Sequence, residues 1–136
     1  GMEARVDHLC GLAEYMSEQI STRVDEQGRR MFVQVAPTSF TNVVFYTIPP
    51  SLRLPADGDN SDAAILAALD MDALKTVAPM VKKRMQEQGL AMIGFQQVKQ
   101  WNNCWRMVFA GAKEEIMTTD TVDEIMNSLL EIGSDL

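Results

Sequence analysis

Arg106 is the charged residue of this sequence whose surroundings ask for an explanation. It stands in Cys104-Trp105-Arg106-Met107-Val108-Phe109, a stretch that is otherwise apolar. Strand alternation puts Trp105, Met107 and Phe109 on one face, toward covering helices, and Cys104, Arg106 and Val108 on the other. A guanidinium keeps its proton in a protein. If enclosed, it needs an anionic partner, because an uncompensated buried charge costs several kcal/mol. Its planar fork matches a carboxylate at two points. Two readings stay open at this point. Arg106 is an anion-binding arginine at a sheet face, or it snorkels from an exposed one.

Other chemistry is scarce. His8 is the single histidine, and a surface position on a first helix accounts for it. With one histidine, neither a metal cluster nor a triad is expected. Cys10 and Cys104 make neither a disulfide framework nor a zinc site. There is no CxxC, HExxH, GxGxxG or phosphate loop. Asp70 with Asp72, and Glu114 with Glu115, read as solvated helix starts or turns. Lys82 to Arg84 read as the back of a helix. The ten methionines sit at core-like positions, where a flexible thioether is useful filler. No catalytic residue and no metal ligand is therefore expected within the chain.

The elements that must position Arg106 fit one domain. At 136 residues, 46% hydrophobic and 23% charged, the chain supports a single core and is not globally disordered. Twelve basic residues against nineteen acidic give −7, which repels phosphate backbones and disfavours nucleic acid. The apolar runs at 43–48 and 63–69 are far shorter than the ~20 residues that cross a bilayer. Gly1-Met2 has the look of a tag remnant, and no secretory leader is seen. With two cysteines, a cytoplasmic location is the expectation.

Val6, Leu9, Cys10, Ala13, Met16 and Ile20 fall on one face of a helix expected to end near 21–23. Residues 31–36 and 41–48 read as two strands, broken at Pro37-Thr38-Ser39, stopped at Pro49-Pro50 and paired antiparallel. A flexible loop is expected over 54–73, with a possible short helix at 63–69. Leu74, Val77, Ala78, Val81 and Met85 form a helical stripe in which Pro79 marks either a kink or a first turn. Gly89 would end that helix. Residues 90–98 and 103–110 read as a hairpin around 99–102. Thr121 to Glu124 has a capping-box pattern opening a last helix that buries Val122, Ile125, Met126, Leu129 and Ile132, and Gly133 stops it. The expected fold is α+β: an antiparallel sheet with helices packed on one face.

Six stretches, in order, resemble one family: VDHLCGLAEYMSEQI (6–20), TNVVFYTIPPSLR (41–53), LKTVAPMVKKRMQEQG (74–89), AMIGFQQ (91–97), NCWRMV (103–108) and VDEIMNSLLEIGSDL (122–136). Together they look like the C-terminal end of the pyridoxal-phosphate-dependent acidic amino-acid decarboxylases, the glutamate decarboxylase and cysteine sulfinic acid decarboxylase family. The resemblance implies that residues 2–136 are the small C-terminal domain of a fold-type I enzyme. It implies packing against a large cofactor-binding domain of the same protein, assembly as a homodimer, and an acidic amino-acid substrate. The matching arginine of the family holds a substrate carboxylate, a role that passes to Arg106 alone.

The resemblance also sets limits. Cys104 and Trp105 stand where the family usually has two aromatics, Phe95-Gln96-Gln97 stand for its Tyr-Gln-Pro, and the 54–73 loop is longer. The family holds pyridoxal phosphate on a lysine that follows a histidine. Lys75, Lys82, Lys83, Lys99 and Lys113 do not follow one. The cofactor is thus expected on the absent large domain, and the isolated chain is expected to be inactive. The face meant for that domain should be exposed and apolar, inviting self-association. The alternatives are a free-standing non-catalytic α+β module that binds a small acid or a partner protein, and the small domain of an aminotransferase.

Overall fold

Leu9, Leu12, Ala13, Met16 and Ile20 are buried along one side of helix α1 (Met2–Thr22), at the three- and four-residue steps of an amphipathic helix. Cys10 is half-buried and Leu12 takes a core place that the expected stripe left out. The computed structural model describes residues 2–36, 42–56, 61–87, 94–98, 101–108 and 118–136, without the side chains of 2–7, 94–98, 102 and 108. The readings made for Pro37 to Ser39, Gly89, Lys99, Phe109, Lys113, Glu114 and Glu115, and for the side chains of Val6 and Val108, lie outside the described residues.

Strands β1 (Phe32–Gln34) and β2 (Asn42–Thr47) pair antiparallel, with Phe32 opposite Thr47 and Gln34 opposite Phe45. Pro49 and Pro50 end β2, and a short 3-10 turn runs over Pro50–Leu52. Strands β3 (Gly94–Val98) and β4 (Trp101–Val108) form the second antiparallel pair, so Trp101 and Asn102 belong to the strand rather than to the expected turn. β2 and β4 join the two pairs into one sheet in the order β1-β2-β4-β3. β4 is thus an inner strand, flanked by β2 and β3.

Helices cover one face of this sheet. Phe32, Val43, Phe45, Trp105 and Met107 are buried there, and Phe32 meets Phe45 edge-on at 6.0 Å. α1 packs on β1 and β2, helix α4 (Val77–Glu87) on β2, β3 and β4, and helix α5 (Thr119–Ile132) on α1 and α4. Pro79 lies in the first turn of α4, where its missing N–H has no helical partner to lose. Lys75 and Thr76 separate α4 from the short helix α3 (Met71–Leu74). α5 buries Val122, Ile125, Met126 and Leu129, with Gly133 as C-cap. It begins one turn before the expected capping box: the Thr118 backbone N–H donates to Thr121 Oγ1 at 3.1 Å. Asp123 ties α5 to α1 by accepting from Tyr15 Oη and Arg23 Nη2, each at 2.8 Å.

Within the expected loop at 54–73 the possible short helix at 63–69 is present as α2 (Asp62–Ala68), and the loop reading needs correction for the rest of 62–73. Both α2 and α3 lie within it, and Ile65, Leu66 and Leu69 are buried. The apolar run needed a core to enter, and α2 finds one beside β1. Asp62 accepts from Arg30 Nη2 at 2.8 Å, and Arg30 also donates to the Ile20 carbonyl at 3.0 Å. Arg30 is 6% exposed, and these acceptors offset its desolvation.

The turn before β1 depends on Asp25. Its carboxylate accepts the backbone N–H of Gln27 and of Arg29, together with Arg29 Nε, all at 2.9 Å, and Arg53 Nη1 at 3.2 Å. Gly28 sits in this turn at φ 77°, where other residues are strained. Burial by itself would raise the Asp25 pKa. The two backbone donors and the two guanidinium groups outweigh it and hold the carboxyl below its ordinary value. A carboxyl lowered in this way stabilises the fold above its unfolded pKa, and the contribution is lost as pH falls through the folded one. Asp25→Asn should therefore flatten the acid limb of a plot of urea midpoint against pH, below about pH 4. An acid limb as steep as that of the parent chain would contradict this.

Candidate functional site

β4 presents Arg106 through a defect in its pairing. Gln96 faces Cys104 while Val98 faces Trp101, so three steps on β4 oppose two on β3. The extra residue makes a bulge, and Asn103 takes φ 54°, a backbone conformation that asparagine tolerates better than most residues. Asn103 Nδ2 donates to the Lys75 carbonyl at 2.7 Å, which fastens the bulge to the end of α3. From Cys104 onward the alternation is regular. Trp105 and Met107 are buried toward the helices, and Arg106 is exposed on the opposite face. The indole Nε1 of Trp105 donates to Thr47 Oγ1 at 3.3 Å, a side-chain link added to the backbone pairing of β4 with β2.

The face that carries Arg106 is shaped by its cross-strand neighbours. Val44 of β2 and Gly94 of β3 stand opposite Arg106. Glycine puts no side chain beside the guanidinium on that flank. Val33, Tyr46 and Cys104 on the same face are buried, and Val44 is half-buried. Burial, with Cys104 nearby, pushes the Tyr46 pKa up to about 12. Tyr46 is thus a neutral phenol in the physiological range and adds no negative charge to this face. Arg106 Nε and Nη2 donate to Asn42 Oδ1 at 3.2 and 3.1 Å. Asn42 opens β2, and its contribution was not read from the sequence. Its only signal there is a polar residue at the head of an apolar strand.

The remaining candidates do not gather around Arg106. His8 is exposed on α1. Asp70 caps α3 by accepting the Ala73 N–H at 3.2 Å, and Asp72 lies 3.7 Å from Lys75 Nζ. Arg84 pairs with Asp135 at 2.6 Å at the back of α4. Cys10 and Cys104 are not linked. A hollow of about 400 Å³ lies at the outer edge of β1, lined by Ser17, Gln34, Asp62 and Leu66 among others, and does not include Arg106. Among the described residues no three His, Cys, Asp or Glu side chains are grouped to hold a metal, and no helix is long and apolar enough to cross a membrane.

Three known proteins can be set beside this geometry. Cysteine sulfinic acid decarboxylase of Homo sapiens is 32% identical over 136 residues, all of this chain and 24% of that protein. Over its whole length the chain is thus similar to one part of an acidic amino-acid decarboxylase. Acidic amino acid decarboxylase GADL1 of Bos taurus is 27% identical over the same residues. The crystal structure of mouse CSAD in apo form superposes with a TM-score of 0.78 at 31% identity, over the whole chain and 25% of that structure. No protein-family model matches the chain. The chain thus spans about a quarter of the length of its decarboxylase relatives, as a C-terminal domain of the family would. Its α+β architecture, an antiparallel sheet with helices, is that of the family's small domain.

The expectation of a broad apolar docking face does not hold among the described residues. Val24 and Met80 are the large hydrophobic side chains exposed there.

Proposed function

We propose that residues 2–136 are the C-terminal domain of a pyridoxal-phosphate-dependent decarboxylase of an acidic amino acid, and that Arg106 binds one of the substrate's carboxylates. The carrying observation is the exposed guanidinium on an inner strand, held at one edge by Asn42 and flanked by a glycine. That arrangement suits a ligand arriving from a neighbouring domain. The relatives' names, each an acid decarboxylase, support the substrate class. Binding a carboxylate there supplies orientation, which is worth much of a barrier when the reacting bond must be aligned.

The residues of this chain do not fit the cofactor itself. Leu9, not lysine, follows the single histidine. Lys75 is drawn to Asp72, and Lys83 is exposed on α4. The proposal therefore assigns pyridoxal phosphate to a large domain of the same protein, in a cytoplasmic homodimer, and leaves the isolated chain inactive. The test is a substrate panel on the full-length enzyme: glutamate, aspartate and cysteine sulfinate, with carbon dioxide and amine measured. At least one acid should yield both. Keto-acid formation in place of amine, or no turnover of any of the three, would overturn the reading.

A further inference from the structure

We propose that Met80 is a site of reversible oxidation by hydrogen peroxide, and that Arg84 binds the oxygen it gains. The methionines read from the sequence as core filler, and Met16, Met85, Met107 and Met126 are buried as that reading requires. Met31 and Met71 are half-buried. Met80 departs from the pattern: it stands on α4 with 44% of its surface exposed. A hollow of about 200 Å³ beside it, lined also by Pro49, Leu52 and Leu136, leaves an oxidant room to approach. Its thioether is soft and polarizable. A sulfur lone pair attacks one peroxide oxygen, and the S–O bond forms as the O–O bond breaks. The departing oxygen takes the proton of the transferred one and leaves as water. The sulfur gives up two electrons and the peroxide accepts them.

Arg84 lies four residues after Met80, on the same side of the helix. Its Nη2 is 4.0 Å from Met80 Sδ, a weak donor–sulfur contact. Nη1 holds the end of α5, donating to the Ile132 carbonyl at 2.8 Å and to Asp135 Oδ1 at 2.6 Å. Nη2 reaches Asp135 Oδ2 only at 3.4 Å. A sulfoxide oxygen directed at Nη2 replaces a weak contact by a charge-assisted hydrogen bond, while Nη1 keeps its partners. The same oxygen added to Met16, Met107 or Met126 would put a polar atom into a closed apolar core. Met80 is therefore where the fold tolerates the lesion, and methionine sulfoxide is repairable by reduction. Oxidation also makes the sulfur a stereocentre, and only one epimer points its oxygen at the guanidinium.

The experiment treats the full-length protein with hydrogen peroxide and follows its tryptic peptides by mass spectrometry. The peptide 76–82 carries Met80 and no other methionine. Met80 should oxidise at least about tenfold faster than Met16, Met107 and Met126, which react only when the fold opens. Protein oxidised at Met80 should melt within about two degrees of the untreated protein. Two methionine sulfoxide reductases, each specific for one epimer, are then applied to the digested peptides, and one of them should restore at least about four-fifths of Met80. In Arg84→Ala the two epimers should approach equal amounts. Asp135→Ala loosens the same chain end but keeps the guanidinium, so it should retain the excess. Met80 reacting as slowly as the buried methionines, or a large fall in melting temperature, overturns the proposal. Equal epimers in the parent protein, or an excess that survives Arg84→Ala, overturns it by removing Arg84 from the site. Loss of the excess in both variants does so as well, because it assigns the selectivity to the packing of the chain end.

Discussion

Replacing Arg106 by alanine in the full-length enzyme should lower kcat/KM for the acidic substrate by about two orders of magnitude, while the melting temperature stays within a degree or two. The kinetic loss is that expected when a charged group that orients a reactant is removed, and corresponds to ~2.7 kcal/mol of barrier. The small thermal effect follows from the geometry. Arg106 is exposed, and its contact to Asn42 is between side chains at the surface. Surface substitutions of that kind usually shift stability by less than about 0.5 kcal/mol. Arg106→Lys separates charge from shape. It keeps the cation but loses the planar fork and the two-point contact to Asn42 Oδ1, so an intermediate loss of about tenfold is expected. Parental kcat/KM in Arg106→Ala would remove the basis for placing a substrate at this face.

How much of this site could be read from the sequence depended on the range of the interaction concerned. The alternation at 104–107 was legible because a strand's two faces differ by one residue and the indole and thioether must leave water. The stripes of α4 and α5 were legible for the same local reason. Asn42 was not. Its meeting with Arg106 spans 64 positions and depends on β2 and β4 becoming neighbours, which no local pattern declares. Arg30 ends a polar run, Asp25 to Arg30, that carries no apolar signal. It is buried because Asp62 and the Ile20 carbonyl, distant in sequence, supply acceptors. The start of α5 was displaced by one turn because two threonines, Thr118 and Thr121, have the same capping chemistry, and the sequence does not say which stands outside the helix. The 54–73 stretch was legible only in part: the short helix at 63–69 was expected, its burial and the following α3 were not. Its polar residues dominate a reading for loops, while Ile65, Leu66 and Leu69 gain their burial from packing that only the finished fold provides.

Trp105→Ala is expected to cost this chain ~3–5 kcal/mol, the usual range for emptying a buried large aromatic site. Trp105 is fully enclosed and is the largest of the buried side chains. It stands on β4 between the helices and the face that carries Arg106, opposite Phe45 on β2 and Phe95 on β3. Its loss opens a void that neighbouring side chains cannot fill from fixed strands. It also strips Thr47 Oγ1 of its indole donor. Against a typical total of ~5–15 kcal/mol, that cost takes a large part of the stability. Trp105→Phe isolates the second effect: it keeps most of the apolar volume and loses the N–H, so a smaller loss of ~1–2 kcal/mol is expected. Urea midpoints for the two variants, at an unchanged slope, measure both numbers. The two losses would be inverted, or both near zero, if β4 were held by its backbone pairing alone. The activity readout ties this to function: an enzyme carrying Trp105→Phe should keep its KM, because the backbone that presents Arg106 is still anchored, and a raised KM would mean that the indole N–H itself sets the register of the arginine.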